Sequence, residues 1–249
     1  MDSGFYAACA GLRAQSQALE VSAHNLANLN TAGFRSQQTT FQSLVAASGP
    51  TVPNLLNLAT NNFGVLEGSH LDLTSGNLET TGNPLDLGIE GSGFFVVLTK
   101  GGMRYTRNGS FQLSSSGQLV TSAGDPVIGD LALKQKGVIN LPPGRVSIAG
   151  DGTISVNDAV AGSIQLVDFA PGTKLSSEGG TLIAAPEGSA RPTQQSTIRQ
   201  SALESSNVNS INSVVNLIGV QRQAEMLQRA MSVFDTTMNQ IAASDLAKV

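Results

Sequence analysis

The chain has a single cysteine, Cys9, and no tryptophan, and aromatic residues make up 4% and charged residues 13% of its 249 positions. One cysteine excludes an internal disulfide framework, and Cys9 is expected to be a small buried residue on a helix. Scarce aromatics leave few large anchors for a compact enzyme core. Lysine and arginine number 14 against 18 acids, a formal net charge of -4, and no basic block occurs. Nucleic-acid binding by phosphate neutralisation therefore has no footing. No apolar run approaches the ~18 residues of a membrane span, so direct membrane insertion is not expected. Asp2 and Arg13 flank a short small-residue stretch, with no basic segment ahead of a long apolar core, and a cleaved secretory signal is not expected either.

What is present is concentrated at the two ends. Phe5, Leu12, Leu19 and Leu26 recur every seven residues, with Ala8 and Leu29 at d-type positions between them. Near the other end Leu217, Val220, Ala224, Leu227, Met231, Phe234, Met238 and Ile241 alternate by three and four. Such a seam belongs to a coiled coil and requires a partner helix along its length. Gln15 and Ser22 occupy the remaining d-type positions of the first stripe. Two helices of this kind are marginal alone, so the missing burial is expected from neighbouring chains.

The first helix is expected from about Ser3 to Leu29, and the last from Ser205 or Ser206 onward. Between them the pattern turns to short apolar runs and turn residues. Residues 85–89 and 94–98 are apolar and bounded by glycines, and 146–148, 153–156 and 164–169 follow as further strands. Asn108-Gly109 between 103–107 and 110–113 predicts a hairpin with a type I′ turn. Pro50, Pro53 and many small polar residues mark 34–83 as an extended connector, and 189–205 reads the same way. The fold class is α+β. Residues 1–33 and 206–249 make a discontinuous helical assembly domain, and 84–188 a central all-β domain.

Sites for chemistry are poorly supported. Gly91-Ser92-Gly93 precedes an apolar strand instead of a helix and lacks the Lys-Ser/Thr of a phosphate loop. His24 and His70 are the only histidines, with no ligand cluster around them. No G-x-S-x-G elbow occurs. No catalytic, cofactor or metal residue is assigned, and no small-molecule substrate is expected.

The most specific string is HNLANLNTAGF at 24–34. Asn25, Asn28 and Asn30 are costly inside a helix, because asparagine amides compete for backbone groups and favour caps and turns. With Leu26, Ala27, Thr31, Gly33 and Phe34 they form a string that resembles the N-terminal signature of bacterial flagellar rod and hook proteins. LDLGIEGSGFFVV at 85–97, containing Gly91, Gly93, Phe94 and Phe95, followed by YTRNGSF at 105–111, resembles the central motif of that family. LESSNV at 203–208, containing Glu204, Ser206, Asn207 and Val208, resembles the motif before its last helix. The three strings occur in the family's order.

The resemblance implies a structural subunit, not an enzyme, of the basal-body rod in the periplasmic space. It implies export by the flagellar type III apparatus without a cleaved signal. Partners would be copies of the chain, other proximal and distal rod proteins and hook-side neighbours. The short connector is similar to the proximal rod type, with the distal type as the alternative. The assembly seam would comprise Leu12, Leu19, Leu26, Leu217, Val220, Leu227, Met231, Phe234, Met238 and Ile241. The asparagines with Gly33 and Phe34 would set the turn out of the first helix, and Glu204 and Asn207 the start of the last. A β-domain adhesin and a secreted cell-wall hydrolase are the readings of other classes. The first needs an aromatic platform, for which Tyr105 stands alone, and the second paired carboxylates.

Overall fold

A computed structural model describes residues 2–43, 64–129, 137–193 and 195–246. The connector around Pro50 and Pro53 lies outside the described residues. Helix α1 spans Asp2–Ala27 and helix α2 spans Ser210–Leu246, with strands between them. The chain divides into two compact units. One comprises Met1–Ala27, Gln37–His70 and Asn209–Val249, and the other Asn28–Ser36 and Leu71–Val208.

In the first unit α1 and α2 pack on each other. A Cβ on Gly11 would lie 3.6 Å from Leu227, and the Gln15 amide donates to the Val220 carbonyl at 3.1 Å and to Gln223 Oε1 at 2.9 Å. Rising numbers on one helix meet falling numbers on the other, so the pair is antiparallel. Among the described side chains of α1 the buried ones are Ala14, Gln15 and Ala18. Asn209 caps α2, its Oδ1 accepting from Asn212 N at 3.0 Å. The helix thus starts later than expected, and Cys9 is half-buried instead of buried. The strands Gln37–Ser43 and Gly64–Leu71 complete this unit as a two-stranded sheet.

The second unit is built on a five-stranded antiparallel sheet. Its strands are, in spatial order, Ser176–Ser177, Leu182–Ala184, Gly102–Thr106, Phe95–Thr99 and Val127–Ile128. Alternation along the strand Phe95–Thr99 sends Phe95 and Val97 into one apolar cluster with Phe111, Leu119 and Ile154. It sends Val96 into a second cluster with Phe94, Tyr105, Val167 and Ile183. Burial on both faces is the reason this run is continuously apolar.

The expected hairpin at Asn108-Gly109 does not form. Gly102–Thr106 pairs with Phe95–Thr99, and Phe111–Leu113 with Leu119–Thr121. A type I′ turn requires positive φ at both central residues, and neither Asn108 nor Gly109 has it. Gly109 is needed for closeness: a Cβ there would fall 1.7 Å from the Leu87 carbonyl oxygen. The stretch 189–205, expected as connector, holds the strands Ala190–Pro192, Thr197–Gln200 and Ala202–Glu204. These pair with Val167–Phe169, Leu87–Glu90 and Leu78–Thr80.

Candidate functional site

Members of the three sequence strings converge in the second unit, on the segment Asn28–Ser36 that follows α1. Thr31 closes a turn on Asn28, its N–H donating to the Asn28 carbonyl at 3.1 Å and its hydroxyl to Asn28 Oδ1 at 3.2 Å. Gly33 then takes φ +68°, and a Cβ there would sit 2.2 Å from Asn108 N. Only glycine permits both the left-handed turn and that approach. Phe34 is 1% exposed and Arg35 3%.

Two side chains from 203–208 hold this segment. Asn207 Oδ1 accepts from Ser36 N at 2.7 Å, and its Nδ2 donates to the Asp72 and Thr74 carbonyls at 3.0 and 3.1 Å. Glu204 is 1% exposed. Its Oε1 accepts from Arg35 Nη2 at 2.6 Å and from Gly76 N at 2.8 Å, and its Oε2 from Arg107 Nη1 at 3.0 Å. The Glu204 carbonyl accepts from Gly33 N at 2.7 Å. Arg107 Nη2 donates to the Gly91 carbonyl at 2.8 Å, and its guanidinium lies 5.3 Å from the centre of the Phe94 ring. Burial is the main cause lowering the Arg107 pKa. Glu204 opposes that shift at close range, and Arg35 adds to it.

Glu204 and Asn207 therefore sit in this node, and the start of α2 is set by Asn209. Gly93 and Phe95 are buried, Ser206 Oγ accepts from Val208 N at 3.2 Å, and Asn30 and Ala27 are exposed. Asn25 belongs to the other unit, where its amide exchanges two hydrogen bonds with the Gln37 backbone at 2.8 and 2.9 Å. Arg35, Arg107 and Gly76 were not chosen from the sequence. The available signal was composition: in a chain with few charges, Arg35 and Arg107 stand within or against apolar signature strings.

The seam residues fall in the first unit. Leu12, Leu19, Leu26, Leu217, Val220, Leu227 and Met231 are all half-buried, and the side chains of Phe234, Met238 and Ile241 lie outside the described residues. On α2 the residues Ile211, Val214, Val215, Ile218 and Met226 are 41 to 74% exposed. At 3.6 residues per turn Ile211, Val215, Ile218 and Met226 lie on the face opposite the half-buried seam, together with the exposed Arg222 and Arg229, and Val214 lies one turn from Leu217. Among the described residues no group of His, Cys, Asp and Glu side chains converges as a metal would need. The arrangement can hold segments together and present apolar surface.

Comparison with known proteins matches three stretches. Residues 5–35 match the flagella basal body rod protein family, 88–156 the flagellar hook protein FlgE/F/G D1 domain, and 199–244 the flagellar basal body rod FlgEFG protein C-terminal region. Each stretch donates one member of the cluster, Arg35, Arg107 and Glu204 in turn. The flagellar basal-body rod protein FlgG of Buchnera aphidicola (subspecies Acyrthosiphon pisum) is 33% identical over 259 aligned positions, covering 93% of this chain and 95% of the relative. FlgF of Mesorhizobium japonicum is 33% identical over 228 positions, covering 90% of each chain. FlgF of Escherichia coli K12 is 33% identical over 254 positions, covering 94% and 95%.

Proposed function

The chain belongs to the flagellar basal-body rod protein family, and on that footing we propose that it polymerises through its terminal helices into the shaft that carries torque from motor to hook. Its role is structural, not enzymatic. The observation that carries the polymerisation is the two-sided apolar character of α2. One face meets α1, and the other leaves Ile211, Val215, Ile218 and Met226 in water. Exposed apolar side chains grouped on one helix face mark a contact surface, even with Arg222 and Arg229 among them. Neighbouring rod subunits are its occupants, in a heterologous contact that repeats without closing and so builds a helical array. The seam from Leu12 to Ile241 is then a coiled-coil-like inner layer whose ordering is completed on assembly.

The proximal position in the rod is favoured over the distal one. What supports this reading is the short connector at 34–83. Rod and hook-side neighbours and the type III export apparatus are the partners this reading requires, with passage to the periplasmic rod by that route and no cleaved signal. An adhesin role finds no support among the relatives.

Ile218→Asp tests the polymerisation. The expected outcome is an unchanged thermal melt of the monomer with loss of sedimenting polymer and of swimming. Polymers of normal length from this variant would refute the helix-face mechanism. Density for the chain in isolated basal bodies, at the proximal or the distal rod, decides its position.

A further inference from the structure

The cluster at Glu204 holds two guanidinium groups and one carboxylate, and its arms are unequal. Arg107 has three anchors, Glu204, the Gly91 carbonyl and the Phe94 ring face, and a single buried nitrogen, Nε, without an acceptor among the described residues. Asp168 also draws on Arg107 through space. Arg35 has one hydrogen-bond partner among the described residues, Glu204 Oε1, and its Nε and Nη1 are buried without an acceptor there. If Arg35 leaves, Oε1 keeps Gly76 N and Oε2 keeps Arg107. The remainder is a neutral, hydrogen-bonded pair. The surplus buried charge therefore resides on Arg35, where desolvation works against docking.

Within the same nine residues other groups favour docking. Phe34 is buried, Gly33 N donates to the Glu204 carbonyl, and Ser36 N donates to Asn207. We infer that Arg35 is a release arm: it holds the segment Asn28–Ser36 close to balance between lying on the strand unit and lifting away, while the Arg107–Glu204 pair stays locked. The lifted state solvates the guanidinium and leaves the strand core intact. This is a two-state element built from one charge too many, and it concerns the isolated chain. Its fate is separate from that of the polymerisation mechanism.

Amide hydrogen exchange on the full-length chain tests it, with Arg35→Met, Glu204→Gln and the double variant. In the wild type the amides of Gly33, Phe34 and Ser36 should exchange well ahead of the Phe95–Thr99 strand. Arg35→Met should slow them roughly tenfold, with the strand amides unchanged. Glu204→Gln strands two cations and should speed them, and Arg35→Met added to it should restore part of the protection. The inference is overturned if Arg35→Met speeds exchange as Glu204→Gln does, or unfolds the strand unit. It is equally overturned if the wild-type segment is as slow as the strand core.

Discussion

At Gly33 two separate demands meet, a φ of +68° and a neighbouring backbone nitrogen 2.2 Å from where a Cβ would stand. Gly82, at φ +79°, has the first demand without the second, since nothing lies within 4 Å of its Cβ position. Gly82→Ala should therefore cost about 1 kcal/mol, the left-handed penalty alone. Gly33→Ala should cost more than about 2 kcal/mol, because backbone must move as well. Urea titrations of both variants check the difference. Glu204→Gln removes the negative charge and one of the two accepting oxygens that face two buried guanidiniums, and should lower stability by about 3–5 kcal/mol in the same assay. At the surface, Arg104 Nε and Nη2 donate to Glu178 at 2.5 and 3.0 Å and hold its carboxyl below the ordinary value of 4.5. A depressed folded pKa stabilises at pH above the unfolded value, and the contribution fades as pH falls through the folded one. Glu178→Gln should accordingly lose less stability than the wild type when pH is taken from 6 to about 3.

At the scale of elements, the helix pair shows how far a repeat can be read and where it stops. Heptad spacing located both helices, because apolar spacing reports which faces seek cover. It could not show that Gly11 faces Leu227, since glycine carries no hydropathy signal. Gly11→Ala places its methyl at ordinary contact distance from Leu227 and should raise helix stability by up to about 1 kcal/mol. Ala18→Leu overfills a buried position and should cost about 1–3 kcal/mol of helix pairing, read by circular dichroism during thermal melting. The run 94–98 was legible as strand because both its faces are buried. Asn108-Gly109 misled for a physical reason: glycine there makes room for the Leu87 carbonyl, and sequence does not distinguish that use from a turn. Arg35 and Arg107 escaped notice because their partner, Glu204, lies far along the chain, and only the folded unit brings the three together.

For the whole molecule the question is which force would drive the proposed polymerisation. Net charge is -4 and charged residues are 13% of the chain, so long-range attraction between copies is weak. The exposed face of α2 carries Ile211, Val215, Ile218 and Met226 beside Arg222 and Arg229, and burying its apolar part near room temperature is driven by entropy with a large negative heat-capacity change. Cooling weakens that drive, and sulfate strengthens it by exclusion from protein surface. Polymer measured by light scattering should therefore shrink between 25 and about 5 °C and return on rewarming. Sulfate should lower the concentration at which polymer appears, whereas sodium chloride across the same modest ionic strengths should change it little. Were ion pairs between subunits the main glue, the response would invert: chloride would dissolve the polymer and cold would leave it intact. Met226→Lys separates the two cases further, because it removes apolar area from the face while bringing net charge nearer zero. Apolar burial predicts weaker assembly for that variant, and relief of charge repulsion predicts stronger.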